Sequence, residues 1–164
     1  PSPAGRTFFT SGGLGTMGFG LPAAIGAALA DRSKTVICFS GDGSILMNIQ
    51  ELATLAELGL NVKVIIMNNG QLGLVRQQQE LFYGKKYIAS SFITRPDFSM
   101  IAEGFGIRGF SMHSGNIDQA QLSLLLNEPG PCLLNIDITG EYNVYPMVPP
   151  GKENINMLTE DMHE

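Results

Sequence analysis

The sequence predicts an α/β fold, a doubly wound parallel sheet with helices on both faces. Short apolar runs rich in β-branched residues alternate along the chain with segments whose apolar positions recur at helical spacing. The runs lack polar alternation, which is typical of parallel strands covered on both faces, and Thr35 to Ser40 (TVICFS) is one example. Ligands of such sheets bind beyond the carboxyl ends of the strands.

In the first half of the chain, a helix is followed by a strand–helix–strand unit. The Ala-rich first helix accommodates Pro22 because proline is tolerated in a first turn. From Ser44 onward, apolar residues at helical spacing predict one helix, which Gly59 stops after Leu58. The unit is a parallel βαβ, whose crossover is right-handed. The predicted elements are a helix at 18–30, a strand at 35–40, a helix at 44–58 and a strand at 62–67.

The second half continues the alternation. Asp118 is of a residue type that caps helix N-termini, and it precedes an apolar helical pattern. Residues 83–95 give no clear pattern. The predicted elements are a helix at 72–82, a helix at 98–105, a strand at 107–112, a helix at 118–127 and a strand at 132–138.

The length of 164 residues predicts a single domain over 1–164. Residues 1–6 resemble a linker remnant, and the Pro-rich residues 141–164 predict an extended C-terminal tail. Because a Gly-rich motif follows the linker almost at once, we expect the chain to be part of a longer polypeptide.

Composition and charge narrow the class of protein. The net charge of −5 and the lack of a basic stripe disfavour nucleic acid as a partner. No apolar run is long enough to span a membrane, so we expect no membrane association. Cys38 and Cys132 lie in apolar strand-like runs, which predicts buried free thiols in a reducing, cytoplasmic compartment.

Two polar motifs follow successive predicted strands. Gly41-Asp42-Gly43 ends the first, and Asn68-Asn69 ends the second. Parallel strands bring both motifs to one edge of the sheet, where the glycines allow a sharp turn and a helix N-terminus offers N–H groups to an anion. A carboxylate and an amide oxygen suit Mg2+ held together with phosphate oxygens. The alternative is structural, with Asp42 as a helix cap and Asn68-Asn69-Gly70 as a turn.

Gly-Asp-Gly followed after 25 to 30 residues by Asn-Asn resembles the motif of thiamine-diphosphate enzymes. Three further stretches resemble the large, catalytic subunit of acetolactate synthase (acetohydroxyacid synthase), and together the likeness covers nearly the whole chain as the C-terminal domain of that family. These stretches are Thr10 to Gly18, Leu21 to Ala27 and Val144 to Gly151.

The resemblance implies roles for individual residues. It implies that Asp42, the Asn69 side chain and the backbone carbonyl of Gln71 bind Mg2+. It also implies that the Gly15 carbonyl accepts a hydrogen bond from the aminopyrimidine and that Met17 supports the V shape of the cofactor. The residues so implied to contact thiamine diphosphate are Gly15, Met17, Gly41, Asp42, Gly43, Ser44, Asn69, Gln71, Leu72, Gly73 and Leu74.

A third catalytic candidate, besides Gly15 and Met17, is Gln78. Taken alone, the run Gln77-Gln78-Gln79 predicts a solvent-exposed helix face. In the family this helix borders the active site, and many members carry Trp where this chain has Gln78. His113 and His163 are predicted to be surface residues without a role.

The resemblance implies that the whole enzyme decarboxylates pyruvate and condenses the two-carbon unit with a second 2-keto acid, pyruvate or 2-ketobutyrate, in branched-chain amino-acid biosynthesis. The activating Glu of the family lies on another domain, so this chain alone is expected to be inactive. The expected partners are the rest of the polypeptide, a second copy in a homodimer and a small regulatory subunit, with FAD as a candidate cofactor on another domain.

Besides a folded, non-catalytic unit that serves only for assembly, two alternatives remain open. One is another thiamine-diphosphate carboligase or decarboxylase, for example one like glyoxylate carboligase. The other is a dinucleotide-binding dehydrogenase domain, since Gly13, Gly15 and Gly18 match the Rossmann spacing. No predicted strand precedes those glycines, which counts against the second alternative.

Overall fold

A computed structural model describes residues 7–140 and 142–160. By its internal contacts the described part of the chain forms two compact units, one of residues 7–69 with 95–139 and one of residues 70–94 with 140 and 142–160. The predicted linker at 1–6 lies outside the described residues, and the single-domain prediction stays a prediction. The helices are α1 (Gly20–Ala30), α2 (Asp42–Ile45), α3 (Glu51–Glu57), α4 (Gly73–Phe82), α5 (Phe98–Gly104) and α6 (Gln119–Asn127), with a 3-10 helix at Asn154–Asn156. The strands are β1 (Val36–Gly41), β2 (Val62–Asn68), β3 (Arg108–His113) and β4 (Cys132–Asp137).

The first unit is built on a four-stranded sheet in the order β1-β2-β4-β3, and every pairing in it is parallel. Helices α1, α2, α3 and α5 contribute to one apolar core, which includes Val62, Val64 and Ile66 of β2. Helix α6 packs on the opposite face, in a core that includes Ile65. The predicted α/β fold with a parallel sheet between helices is confirmed.

Strand β1 is covered on one face only, which corrects the prediction that both of its faces are buried. Ile37 is 48% exposed and Phe39 67% exposed, whereas Cys38 between them is 5% exposed. The reason is position, because β1 is an edge strand and α6 packs against residues of β2, β3 and β4 on that face of the sheet.

The single helix predicted from Ser44 to Leu58 is wrong, because the segment divides into α2 and α3. Between them the backbone makes tighter three-residue hydrogen bonds, from Asn48 to the Ile45 carbonyl at 3.2 Å and from Glu51 to the Asn48 carbonyl at 3.0 Å. Helical apolar spacing continues through both pieces, and for this reason the sequence did not reveal the break. Gly59 follows α3 with a φ of 55°, as expected of a helix stop.

Lys63 is the second residue of β2 and has no exposed surface. Its ammonium group donates to the Glu128 carbonyl and, at 2.6 Å, to the Gly130 carbonyl. Burial lowers the pKa of Lys63 below its usual value. This side chain thereby ties the central strand to the connection between α6 and β4.

The second unit contains α4, the loop that follows it, and the described part of the C-terminal segment. That segment turns back on itself at a bridge between Met147 and Leu158, with backbone hydrogen bonds of 2.7 and 3.0 Å. Among the described residues, no helix combines the length and the apolar character needed to cross a membrane.

Candidate functional site

The carboxyl ends of β1 and β2 place the two predicted motifs side by side. Gly41 pairs with Met67 in the parallel register, so Asp42 and Asn68 follow at the next position of neighbouring strands. Asn69 comes directly after Asn68, and the connections leave the sheet here. This is the edge at which ligands of parallel α/β sheets bind.

Asp42 is a buried carboxylate, with 3% of its surface exposed. One of its oxygens accepts the Gly43 N–H at 2.8 Å. A Cβ placed on the preceding Gly41 would meet no atom within 4 Å, so the backbone faces open space there. A buried carboxylate at one strand end and a side-chain amide at the neighbouring strand end are oxygen donors of the kind that Mg2+ prefers, and the residues present therefore fit such an ion.

Helix α2 begins at Asp42 rather than at Ser44, and it consists of one turn of four residues. The Gly43 N–H is bonded to the Asp42 side chain, and the Ser44 hydroxyl accepts the Gly18 N–H at 3.0 Å. The predicted helix N-terminus is therefore a short turn, and a hydrogen bond joins it to the Gly-rich segment at residues 10–18.

The Gly-rich segment joins this turn through Gly18. The Gly18 carbonyl accepts from the Asn48 side chain at 2.9 Å, in addition to the bond from its N–H to Ser44. Gly18 has a φ of 87°, and a Cβ there would lie 2.6 Å from the Asn48 amide nitrogen and 2.9 Å from the Met47 Cβ. Only glycine fits this close approach. Sequence reasoning missed Asn48, whose partner is 30 residues away.

Gly15 and Met17 lie in the turn that precedes Gly18. Gly15 has a φ of 63° and donates its N–H to the Ser11 carbonyl at 2.8 Å, while the Thr16 N–H donates to the Ser11 hydroxyl at 2.9 Å. Met17 is 39% exposed, so its side chain is accessible next to the Ser44 turn. A Rossmann fingerprint would require a strand before these glycines, and the described residues before Gly15 contain none.

A buried amide network supports the end of β2. Asn68 donates from its side chain to Asn135 of β4 at 3.0 Å, and Asn135 donates to Asp137 at 3.1 Å. The Asn68 carbonyl accepts the Ile138 N–H at 2.8 Å. The network therefore fixes the backbone from which Asn69 projects. The signal for Asn135 was a polar residue inside the apolar run of β4, and the sequence analysis did not use it.

The candidates Gln71, Leu72, Gly73 and Leu74 belong to the second unit. The Leu72 N–H donates to the Ser90 carbonyl at 2.7 Å, and Gln71 forms an antiparallel bridge with Ser91. Helix α4 begins at Gly73. Residues 83–95, which gave no pattern in the sequence, thus supply the backbone that holds the segment between Gly70 and α4.

The three consecutive glutamines of α4 have different environments. Gln77 is 1% exposed, which corrects the prediction of a solvent-exposed face for the whole run. Gln78 is exposed and lines an open groove of about 570 Å3. The groove is lined by Val75, Gln78, Gln79, Tyr83, Lys86 and Ile88.

The remaining titratable candidates agree with the predictions where the structure describes them. Cys38 and Cys132 are buried free thiols, and burial raises the pKa of Cys38 to about 11. His113 is exposed, with its Nδ1 3.9 Å from an Asp137 oxygen. His163 lies outside the described residues.

Residues 1–136 match the family model of the C-terminal TPP-binding domain of thiamine pyrophosphate enzymes. The match covers most of the chain, and the chain belongs to this family. Its fold and the motifs at the carboxyl edge of the sheet agree with that assignment, which leaves the dinucleotide-binding alternative without support.

Within this family the chain is similar to large subunits of acetolactate synthase. It is 54% identical to the acetolactate synthase isozyme 1 large subunit of Escherichia coli (strain K12) over 155 residues, or 94% of this chain and 28% of that protein. It is 48% identical to the isozyme 2 large subunit of the same organism, over 93% of this chain and 28% of that protein. It is 49% identical to the acetolactate synthase large subunit of Pyropia yezoensis, over 93% of this chain and 26% of that protein. The chain thus spans little more than a quarter of the length of these relatives.

Proposed function

We propose that this chain is the part of an acetolactate synthase large subunit that holds Mg2+ and the diphosphate of thiamine diphosphate. The observation that carries the proposal is the buried Asp42 at the end of β1, beside the Asn68-Asn69 end of β2. Similarity over more than nine-tenths of the chain to three proteins named as acetolactate synthases supports the choice of enzyme.

We propose that Asp42, the Asn69 side chain and the Gln71 carbonyl bind the metal ion. A divalent cation would neutralise both the buried carboxylate and the diphosphate, which makes the two ligands mutually dependent. The diphosphate is proposed to contact the backbone of two segments. These are Gly41, Gly43 and Ser44 after β1, and Leu72 to Leu74 at the start of α4. When bound, thiamine diphosphate supplies the electron sink for decarboxylation of a 2-keto acid.

At the other end of the cofactor, we propose that the Gly15 carbonyl and the Met17 side chain hold the pyrimidine. The turn that contains them is fixed to the Asp42 segment through the bonds of Gly18 with Ser44 and Asn48. An apolar, adaptable methionine can support a bent cofactor without exchanging protons. Gln78 is proposed to face the acceptor substrate.

For the whole enzyme we propose the substrates pyruvate and 2-ketobutyrate and a role in branched-chain amino-acid biosynthesis. The proposed setting is a cytoplasmic homodimer, with a small regulatory subunit and with FAD on another part of the polypeptide. The proposal also holds that these 164 residues alone do not turn over pyruvate.

Calorimetric titration with thiamine diphosphate and Mg2+ tests the proposal, with NAD as the comparison ligand. The Asp42→Asn variant keeps the acceptor for the Gly43 N–H but loses the charge. We expect its Mg2+-dependent cofactor affinity to fall by about tenfold or more, because one charge-assisted contact contributes about 1.5–3 kcal/mol.

Asp31→Asn is the matched control, because Asp31 lies in an exposed turn after α1. Circular dichroism should show that both variants retain the fold. Unchanged cofactor affinity in Asp42→Asn would remove Asp42 from the metal site, and tighter binding of NAD than of thiamine diphosphate would refute the assignment of function.

A further inference from the structure

We propose that Gln77 and Gln79 are positioning residues, each of which holds one chain segment against α4 and so determines what surrounds Gln78. The inference rests on the proposed function, since it concerns the helix that would face the acceptor. It starts from the hydrogen bonds that these two side chains make within the second unit.

Gln77 fastens the C-terminal segment to α4. Its side-chain amide donates to the Val144 carbonyl at 2.9 Å and accepts the Val144 N–H at 3.0 Å. One turn further on, Glu80 accepts a longer bond of 3.4 Å from the Asn143 side chain. The Gln77 amide thus satisfies both the N–H and the C=O group of Val144, as a neighbouring strand would. It does so while only 1% of the surface of Gln77 is exposed.

Gln79 holds the opposite segment in the same way. It donates to the Ile88 carbonyl at 2.9 Å and accepts the Ile88 N–H at 3.4 Å. The Gln79 carbonyl also accepts the Lys85 N–H at 3.0 Å. Lys85 and Ala89 flank this pairing with φ angles of 58° and 53°, which residues other than glycine rarely adopt. This strained loop conformation therefore needs the hydrogen bonds of Gln79 to stabilise it.

The two pairings fix the chain segments next to Gln78, one at Val144 and one at Ile88. Successive residues of a helix point about 100° apart, so a Gln77 side chain held by Val144 fixes the direction of Gln78. Gln79 and Ile88 line the same groove as Gln78. Loss of either pairing would widen or reshape the groove without removing any residue that is proposed to touch a substrate.

Amide hydrogen exchange tests the pairings in the 164-residue chain, with Gln77→Met and Gln79→Met as variants. Methionine keeps the length of the side chain and removes both hydrogen bonds. We expect exchange of the Val144 amide to accelerate about tenfold in Gln77→Met and exchange of the Ile88 amide to accelerate severalfold in Gln79→Met, since each amide loses its side-chain acceptor.

Each variant is the control for the other. Gln77→Met should leave the Ile88 amide unchanged, and Gln79→Met should leave the Val144 amide unchanged. Equal acceleration at both amides would indicate general unfolding and would overturn the separate roles. Unchanged exchange at both would show that the pairings do not hold these segments.

The positioning role is tested in the longer polypeptide that carries this chain, by competition between pyruvate and 2-ketobutyrate as acceptors. We expect both variants to shift the product ratio and to raise the KM for the acceptor more than they lower kcat. Gln77→Glu keeps an acceptor for the Val144 N–H but places a second acceptor against the Val144 carbonyl, so it should not recover the wild-type ratio. An unchanged ratio in both methionine variants would overturn the positioning role. If the wild-type polypeptide did not bind thiamine diphosphate, that result would contradict the proposed function alone.

Discussion

Gly18 connects the Gly-rich segment with the turn after β1, and its backbone has a φ of 87°. We expect Gly18→Ala to lower the free energy of unfolding by roughly 2 kcal/mol or more, because the added Cβ is strained at this φ and collides with Asn48 and Met47. Urea denaturation would measure the change.

Gly26→Ala is the control, since Gly26 lies in α1 with no atom within 4 Å of the added Cβ. It should increase stability by about 0.5–1 kcal/mol, as expected for alanine in a helix. Equal changes in the free energy of unfolding for the two substitutions would show that the contacts around Gly18 do not affect stability.

Gln78 is the residue on which acceptor preference depends in the proposed function. A Trp there would offer a broad apolar face to the longer acceptor, and one methylene in such a pocket corresponds to about 1–3 kcal/mol, or roughly 10–200-fold. We therefore expect Gln78→Trp to raise the preference for 2-ketobutyrate over pyruvate severalfold or more. The product ratio in competition between the two acceptors measures it, and an unchanged ratio would exclude Gln78 from the acceptor pocket.

Sequence patterns revealed residues at strand ends but not residues whose partners are distant. Asp42 and Asn69 were predicted together because parallel topology alone brings strand ends to one edge. Gln77 and Asn135 were missed, since each makes a hydrogen bond to a residue 67 positions away. The local pattern contains no trace of the Gln77 contact, and for Asn135 it contains only a polar residue within an apolar strand. Residue type and spacing indicate chemistry, whereas long-range pairing has to be observed.

At the scale of elements, α6 depends on its N-terminal cap. As the sequence predicts, Asp118 accepts the Ala120 N–H at 2.9 Å and the Gln121 N–H at 3.1 Å from its side chain. Asp118→Ala should lower the free energy of unfolding by about 1 kcal/mol, because these N–H groups lose their acceptor. Asp118→Ser should recover most of that loss in urea denaturation, and equal loss in both variants would contradict capping as the cause.

The break between α2 and α3 shows why element boundaries are harder to predict than element types. The apolar positions continue at helical spacing from Ile45 to Ala56, so periodicity favours one helix. The bond from Asn48 to Gly18 favours a turn instead, and that contact depends on the tertiary fold. Local periodicity shows which face of a helical segment packs on the core, but it does not show where the backbone changes direction.

At the scale of the molecule, Lys63 links the centre of the sheet to the connection before β4. We expect Lys63→Met to lower stability at neutral pH by about 2 kcal/mol, because the carbonyls of Glu128 and Gly130 lose a shared donor. Burial lowers the pKa of Lys63 in the folded state, so the unfolded chain holds this proton more tightly. The contribution of Lys63 to stability should therefore increase as the pH rises through its folded-state pKa towards 10.5.

Urea denaturation of wild type and Lys63→Met at neutral and alkaline pH would test this linkage. The neutral amine retains two N–H donors, which is enough for both carbonyls. The stability difference between the two proteins should widen at alkaline pH. A difference that narrows would mean that the charge itself, rather than the hydrogen bonds, is what stabilises the fold.

The strand order β1-β2-β4-β3 has a consequence for the order of events during synthesis. Strand β4 is the last to leave the ribosome, yet it lies between β2 and β3, and it is the strand with which β3 pairs. Until Asp137 has emerged, the growing chain can pair β1 with β2, while β3 has no neighbour in the sheet. Because β2 and β4 lie far apart in the sequence, closing this gap is slow compared with forming helices. Between the synthesis of Asn68 and that of Asp137, the nascent protein thus has an edge of β2 without its final partner strand, and in that interval it most needs protection from mispairing.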